Sequence, residues 1–496
     1  MKYVSTRGTA PELEFDDALL TGLARDGGLY VPAEWPRLTA GEIEALSGLT
    51  YEETAVRIMA PYVDGAIPED ELAEMVREAY ATFRHRAVAP LVQLGANDWL
   101  LELFHGPTLA FKDVAMQILS RMFDHVLKKR GQKITIVGAT SGDTGSAAIE
   151  AFRGRETSDI FIMHPKGRVS EVQRRQMTTV LDANVHNIAI EGSFDDCQAL
   201  VKAMFNDLAF RDEVSLAGVN SINWGRVLAQ IVYYFTAAVS LGAPSRSVAF
   251  SVPTGNFGDV FAGYAAKRMG LPVERLIVAT NVNDILARTL ATGRYEVEKV
   301  VPTISPSMDI QVSSNFERLL FDAYDRDAEA VCRLMQSLSQ SGAFTVDKPA
   351  LETMRGTFGA ARVDEEETAR TIRETWTETG ELVDPHSAVG LGAAKRERGS
   401  ASVPMVTLAT AHPAKFPDAV EKAVGLRPAL PESMADLFER EERLDALPND
   451  LGAVQAFIRD KARSFSAKEN DPDFKKRADS PDQTKPKTVS SDQGLL

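Results

Sequence analysis

Ile134-Thr135-Ile136-Val137-Gly138-Ala139-Thr140-Ser141-Gly142-Asp143-Thr144-Gly145-Ser146-Ala147-Ala148 decides the fold. Four β-branched residues in a row predict a buried strand. A run of small residues turns the chain, and an alanine-rich segment opens a helix. The order then recurs. Residues 159–163 and 186–190 are strand-like; 171–183 and 195–208 are helical in pattern. Further on, Val248-Ala249-Phe250-Ser251-Val252 empties into Pro253-Thr254-Gly255-Asn256-Phe257-Gly258-Asp259, with a further strand expected at 276–279. Strand alternating with helix implies βα units and a parallel sheet. The last apolar strand, 404–409, leads into Thr410-Ala411-His412-Pro413-Ala414-Lys415-Phe416.

Working outward, residues 1–90 read as a mostly helical N-terminal cap, with helices expected near 12–23, 40–46, 50–60 and 69–82. Residues 26–32 read as a turn and a short extended piece. Thr39 and Glu42 have the spacing of a capping box. From residue 89 the pattern changes: 90–94 and 99–103 read as two short strands about a turn. The expected division is 1–90 as the cap, 91–240 as one α/β domain, 241–465 as a second, and 466–496 as a polar disordered tail. The fold class is thus α/β, with two parallel-type domains.

The chain has 496 residues and a net charge of −15. That balance argues against a nucleic-acid binder, which needs clustered Lys and Arg, and against a basic membrane-surface helix. A local cationic pocket stays open. The two cysteines, Cys197 and Cys332, form no CxxC pair, and the seven histidines show no metal spacing, so no metal is expected. Without an apolar leader or a membrane-length run, the expected location is the cytoplasm.

Lys112 lies where a turn, Gly106-Pro107, precedes apolar residues at helical spacing: Phe111, Val114, Ile118, Met122 and Val126. A lysine in a helix first turn meets positive potential from the helix dipole, which favours a neutral amine able to form a Schiff base. Taken alone, it reads equally as a solvated surface cation. Gly255, Asn256, Phe257 and Gly258 form a loop whose N–H groups could cradle phosphate. Ser141, Asp143 and Thr144 belong to a second, hydroxyl-bearing loop. Each loop could instead be a tight packing turn. Neither is a P-loop or a GxGxxG fingerprint. Together, an amine, an anion cradle and a hydroxyl at Thr410 match the needs of pyridoxal phosphate: an imine partner, a phosphate site and a neighbour for the pyridine nitrogen.

Ten stretches carry a resemblance: 3–8, 26–32, 104–113, 138–146, 220–224, 253–259, 307–310, 313–318, 384–386 and 410–416. In this order they resemble the threonine synthase family, long form, among the fold type II pyridoxal-phosphate enzymes. The resemblance extends to about Phe465. It implies a cofactor held between the two α/β domains. It implies Lys112 as Schiff-base partner and proton carrier, Gly255, Asn256, Phe257 and Gly258 on the cofactor phosphate, and Thr410 at the pyridine nitrogen. It implies Ser141, Asp143 and Thr144 as substrate contacts, with Asn223, Arg226 and Lys415 as further anion contacts or else ordinary polar residues. His105 and His412 flank the site as proton helpers or structural hydrogen-bonders. The 305–314 loop and the N-terminal segment are expected to help close the site.

The implied reaction turns O-phospho-L-homoserine and water into L-threonine and phosphate, in a monomer or homodimer. Three other readings remain open: a sister lyase that yields a keto acid, a hydratase or dehydratase acting on unphosphorylated serine or threonine, and a non-catalytic homologue that binds ligand or serves as a scaffold.

Overall fold

Apolar β-branched runs become the parallel strands of two sheets in the computed structural model, which describes residues 1–463. The smaller sheet orders Asp445–Pro448, Val185–Glu191, Ser158–Pro165, Ile134–Ala139 and Leu216–Ala217, all parallel. The larger orders Phe358–Arg362, Val273–Thr280, Val248–Pro253, Met405–Ala409, Asp98–Glu102 and Leu91–Gln93. Its pairs are parallel except the last, an antiparallel hairpin at the edge. Central strands are buried on both faces, as parallel strands covered by helices must be.

The sheets do not divide the chain where the expected boundary at 240 would. Asp98–Glu102 pairs with Met405–Ala409, Asp98 opposite Met405 and Glu102 opposite Ala409. This lodges the hairpin before the lysine helix in the larger sheet. In return, Asp445–Pro448 joins the smaller sheet beside Val185–Glu191. The physical reason is edge pairing: an unpaired strand edge draws whichever extended segment the connections can deliver. The expected tail at 466–496 lies outside the described residues.

The N-terminal region is less helical than its sequence implies. Lys2–Ser5 pairs antiparallel with Leu13–Glu14 and Tyr30–Pro32, so the expected helix over 12–23 shortens to Phe15–Thr21. Helices follow at Ala40–Glu44, Tyr51–Val63 and Glu69–Tyr80; Thr39 and Glu42 do form a capping box. Helix Trp224–Ser240 is the central pillar, buried on nearly all its residues and packed on Tyr51–Val63, Lys112–Arg130 and Gly258–Arg268. Among the described residues, no helix is long and apolar enough to cross a membrane.

Candidate active site

The strand pair Asp98–Glu102 and Met405–Ala409 ends in two segments that stay together. Phe111 N–H donates to Thr410 O at 2.8 Å, and His412 N–H donates to Leu109 O at 3.0 Å. Lys112 and Thr410, almost 300 residues apart in sequence, are thereby neighbours at one strand end. Loops at the carboxyl ends of parallel strands are where open α/β sheets place their ligands.

Lys112 opens the helix Lys112–Arg130 and is buried. Its Nζ lies 3.3 Å from Asp143 Oδ2. Burial lowers its pKa, Lys415 and Arg226 push the same way, and Asp143 opposes them. The lowered amine expected from the sequence is therefore present, but burial is its chief cause rather than the helix dipole.

Asp143 is the hub. Burial would raise its carboxyl, yet Lys415 and Lys112, with a hydrogen bond from Gln173, hold it well below the usual carboxylate range. Lys415 Nζ is 3.0 Å from Oδ1, Gln173 Nε2 donates to Oδ1 at 2.8 Å, and Ser307 Oγ approaches Oδ2 at 3.4 Å. Gln173 reaches it because residue 142 is glycine. A Cβ there would lie 2.4 Å from the Gln173 side chain, and φ is +147°.

Lys415 is fully buried. It donates to Thr108 O at 2.7 Å and Gln176 Oε1 at 2.9 Å besides Asp143. An ammonium has three donors, so the three acceptors use them all. Lys415 thus lends the site its charge while its three donors are engaged by protein acceptors. Arg226 is the opposite case. Buried at 4% exposure, it donates only weakly, 3.4 Å to Val219 O, and its Nε has no partner. Burial pushes it down to about 10.

Asn223 is likewise engaged within the protein. Its Oδ1 caps the helix through Gly225 N–H at 2.9 Å, and its Nδ2 holds Leu19 O at 2.8 Å. The side chain fastens the N-terminal region to the pillar helix. Ser141 is exposed, while Thr144 is half-buried in the first turn of Asp143–Phe152.

The 255–258 loop joins strand Val248–Pro253 to helix Gly258–Arg268. Phe257 adopts φ +64°, held by packing on Phe316 and Phe358. No described residue accepts from the N–H groups of Gly255, Asn256 or Phe257. The loop carbonyls are braced instead: Asn315 donates twice to Asn256 O, and Ser313 Oγ donates to Gly255 O at 2.7 Å. Asn315 is in turn gripped by the fully buried Arg318, which also donates to Tyr30 O and Ile222 O. A phosphate fits this cradle by chemistry: free N–H groups at a helix start, with buried cations nearby.

His105 and His412 line another space, a cleft of about 710 Å³ that includes Glu102, Trp376 and Glu381 but not Lys112, Asp143 or Thr410. His105 Nε2 pairs with Glu102 at 2.8 Å. His412 Nδ1 accepts from Ala414 N–H at 3.1 Å, and burial pushes it down to about 4. The expected closing segments divide likewise. The 305–309 turn reaches Asp143 through Ser307, whereas Thr6 and Arg7 hold Glu317, next to the Phe316 that packs on Phe257.

Gln173, Gln176, Ser307, Asp384 and His386 were not singled out from sequence as site residues. Asp384-Pro385 carries the signal of a helix start, which Asp384 indeed caps. Nothing local signals that His386 faces Ser307.

Residues 2–80 match the family described as Threonine synthase N terminus, 82–347 Pyridoxal-phosphate dependent enzyme, and 387–458 Threonine synthase, C-terminal. Threonine synthase of Pseudomonas aeruginosa is 60% identical over 459 residues, covering 92% of this chain and 98% of that one. The chain belongs to the threonine synthase family. The family member from Saccharomyces cerevisiae is 43% identical over 483 residues, covering 89% and 94%. In structure, the PLP-bound threonine synthase from Brucella melitensis superposes with a TM-score of 0.92 at 62% identity, covering 93% of this chain and all of that one. The yeast threonine synthase structure gives 0.89 at 41% identity, covering 93% and 98%. The fold is that of fold type II pyridoxal-phosphate enzymes, and pyridoxal phosphate is the cofactor.

Proposed function

We propose that this chain converts O-phospho-L-homoserine and water to L-threonine and phosphate, with Lys112 as the amine that holds the cofactor. One observation carries the reading. Two buried cations, Lys112 and Lys415, pair with Asp143, and a third, Arg226, which has no carboxylate partner among the described residues, lies close enough to push the Lys112 amine down. Buried charge without a counter-ion is costly, so the arrangement suits anionic ligands. Both the cofactor and a phosphorylated amino acid bring phosphate.

When bound, pyridoxal phosphate supplies an electron sink that acidifies carbon–hydrogen bonds of the substrate. The protein's own groups do the rest. Lys112 Nζ, its pKa lowered by burial, takes and returns protons at the substrate carbons. Asp143 aims that nitrogen and balances it whenever it carries a proton. The N–H groups of Gly255, Asn256, Phe257 and Gly258 hold the cofactor phosphate. Thr410 would offer a neutral hydroxyl to the pyridine nitrogen. Arg226 offers its unused N–H donors to the substrate's anionic group, beside Ser141 and Thr144. Ser307 closes over Asp143 and limits water. The same reading places the enzyme in the cytoplasm as a monomer or homodimer.

The test is product analysis. Purified protein loaded with pyridoxal phosphate and given phosphohomoserine releases phosphate and threonine in equal amounts. Lys112→Ala abolishes both, along with the visible absorbance of the bound cofactor. Release of α-ketobutyrate in place of threonine overturns the reading in favour of a keto-acid lyase.

A further inference from the structure

His386 lies in the first turn of helix Pro385–Glu397, and no role above uses it. It is buried, with Phe416 at 4.8 Å between ring centroids. Its Nδ1 is 2.6 Å from Asp384 Oδ2. Both Asp384 oxygens already accept protein donors: His386 N–H on Oδ2, and Ser387 N–H and Oγ on Oδ1. A carboxylate so placed can only accept, so His386 carries its proton on Nδ1 and keeps a lone pair on Nε2. That lone pair receives Ser307 N–H at 3.2 Å.

Ser307 is the middle of the turn Pro306–Met308, and the turn touches two parts of the site. Its Oγ approaches Asp143 at 3.4 Å. Its carbonyl lies 2.6 Å from where a Cβ on Gly255 would stand, so only glycine lets the turn settle on the phosphate loop. His386 thus fixes the peptide that joins the phosphate loop to the lysine's carboxylate, from a helix that contributes nothing else to either.

We propose that His386 is a positioning residue: with its tautomer set by Asp384, it clamps the 305–309 turn against Gly255 and Asp143. The cofactor cradle is then only as well formed as this clamp. The proposal rests on the pyridoxal-phosphate reading of the site, which it deepens.

Two near-isosteric variants separate the clamp from mere packing. In His386→Gln the amide oxygen reaches the Nε2 position and still accepts from Ser307. In His386→Asn the amide reaches only the Nδ1 position and leaves Ser307 N–H without its acceptor. One such hydrogen bond corresponds to about a fivefold change. The dissociation constant of pyridoxal phosphate, measured on the full chain, is expected to rise about fivefold in H386N and to stay within about twofold of the parent in H386Q. Amide exchange of 305–309 accelerates in H386N alone. A rise in KM for the phosphorylated substrate accompanies it, with a smaller change in kcat.

Equal behaviour of the two variants, whether both intact or both impaired, overturns the proposal. Should H386N fold poorly, Asp384→Asn gives a second route. An amide nitrogen facing Nδ1 favours the other tautomer, which sets Nε2–H against Ser307 N–H and loosens the same turn. Unchanged exchange at 305–309 in a folded D384N also refutes the clamp. Cofactor affinity and exchange are read without turnover, so failure of the threonine reading alone leaves these outcomes intact.

Discussion

Replacing Asp143 with asparagine removes the buried carboxylate that pairs with Lys112 and Lys415. The structure sets the scale. Asp143 lies 3.3 Å from Lys112 and 3.0 Å from Lys415, and at an effective dielectric of about 20 each attraction is worth about 5 kcal/mol. Much of this is offset by the cost of burying the carboxylate, and Lys112 can shed its proton once Asp143 is gone. Breaking a buried ion pair by removing one partner leaves a net loss of about 3–5 kcal/mol. The expected result for D143N, in urea unfolding of the cofactor-free protein near neutral pH, is a loss of this size. Inorganic phosphate supplies the decisive second arm. The variant lacks the carboxylate that competes with phosphate for Lys112 and Lys415, so phosphate binds it more tightly and restores more stability to D143N than to the parent. A variant within about 1 kcal/mol of the parent refutes the charge argument. So does a smaller phosphate response in D143N.

Arg226→Met takes away a buried cation with no carboxylate partner, so the cofactor-free protein is expected to be as stable or more stable, while phosphate no longer raises its melting temperature. A large loss of stability with the phosphate response retained contradicts the anion role. Gly255→Ala puts a Cβ 2.6 Å from Ser307 O; displacing the turn costs about 1–3 kcal/mol, and equilibrium dialysis shows weaker cofactor retention. His412 sits at about 4 when folded, below its ordinary 6.5. Its neutral form is favoured by folding, so stability present above pH 6.5 falls as acid protonates the unfolded chain, by about 2 kcal/mol between pH 7 and 5. His412→Asn keeps an acceptor for Ala414 N–H and removes that part of the acid sensitivity, as paired urea titrations at the two pH values will show.

Much of this was legible because it is local. The β-branched run at Ile134 and the small-residue loop after it announce a strand and a helix start. The apolar spacing after Phe111 marks the lysine helix, and Thr39 with Glu42 marks a cap. Other elements escaped for equally physical reasons. Phe358–Arg362 is an edge strand made largely of glycine and alanine, and Asp445–Pro448 is mostly exposed; neither carries the apolar signal of a buried strand. Asn223 is polar, next to a site motif and fully buried, yet its hydrogen bonds run to Gly225 and Leu19. Residue type does not say which partner a buried amide will find.

The residues of the loops around Lys112, Asp143, Gly255 and Thr410 were therefore set by sequence, since turn chemistry, helix starts and strand ends depend on neighbours a few positions away. Their convergence was set by tertiary structure. The pairing of Asp98–Glu102 with Met405–Ala409 joins Lys112 to Thr410. Burial brings Lys415 and Arg226 close enough to Lys112 to depress its amine. The distinction between an arginine with free donors and a lysine with none lies in the same packing. Coulomb interactions and hydrogen bonds act across space, and chain order does not encode their distances.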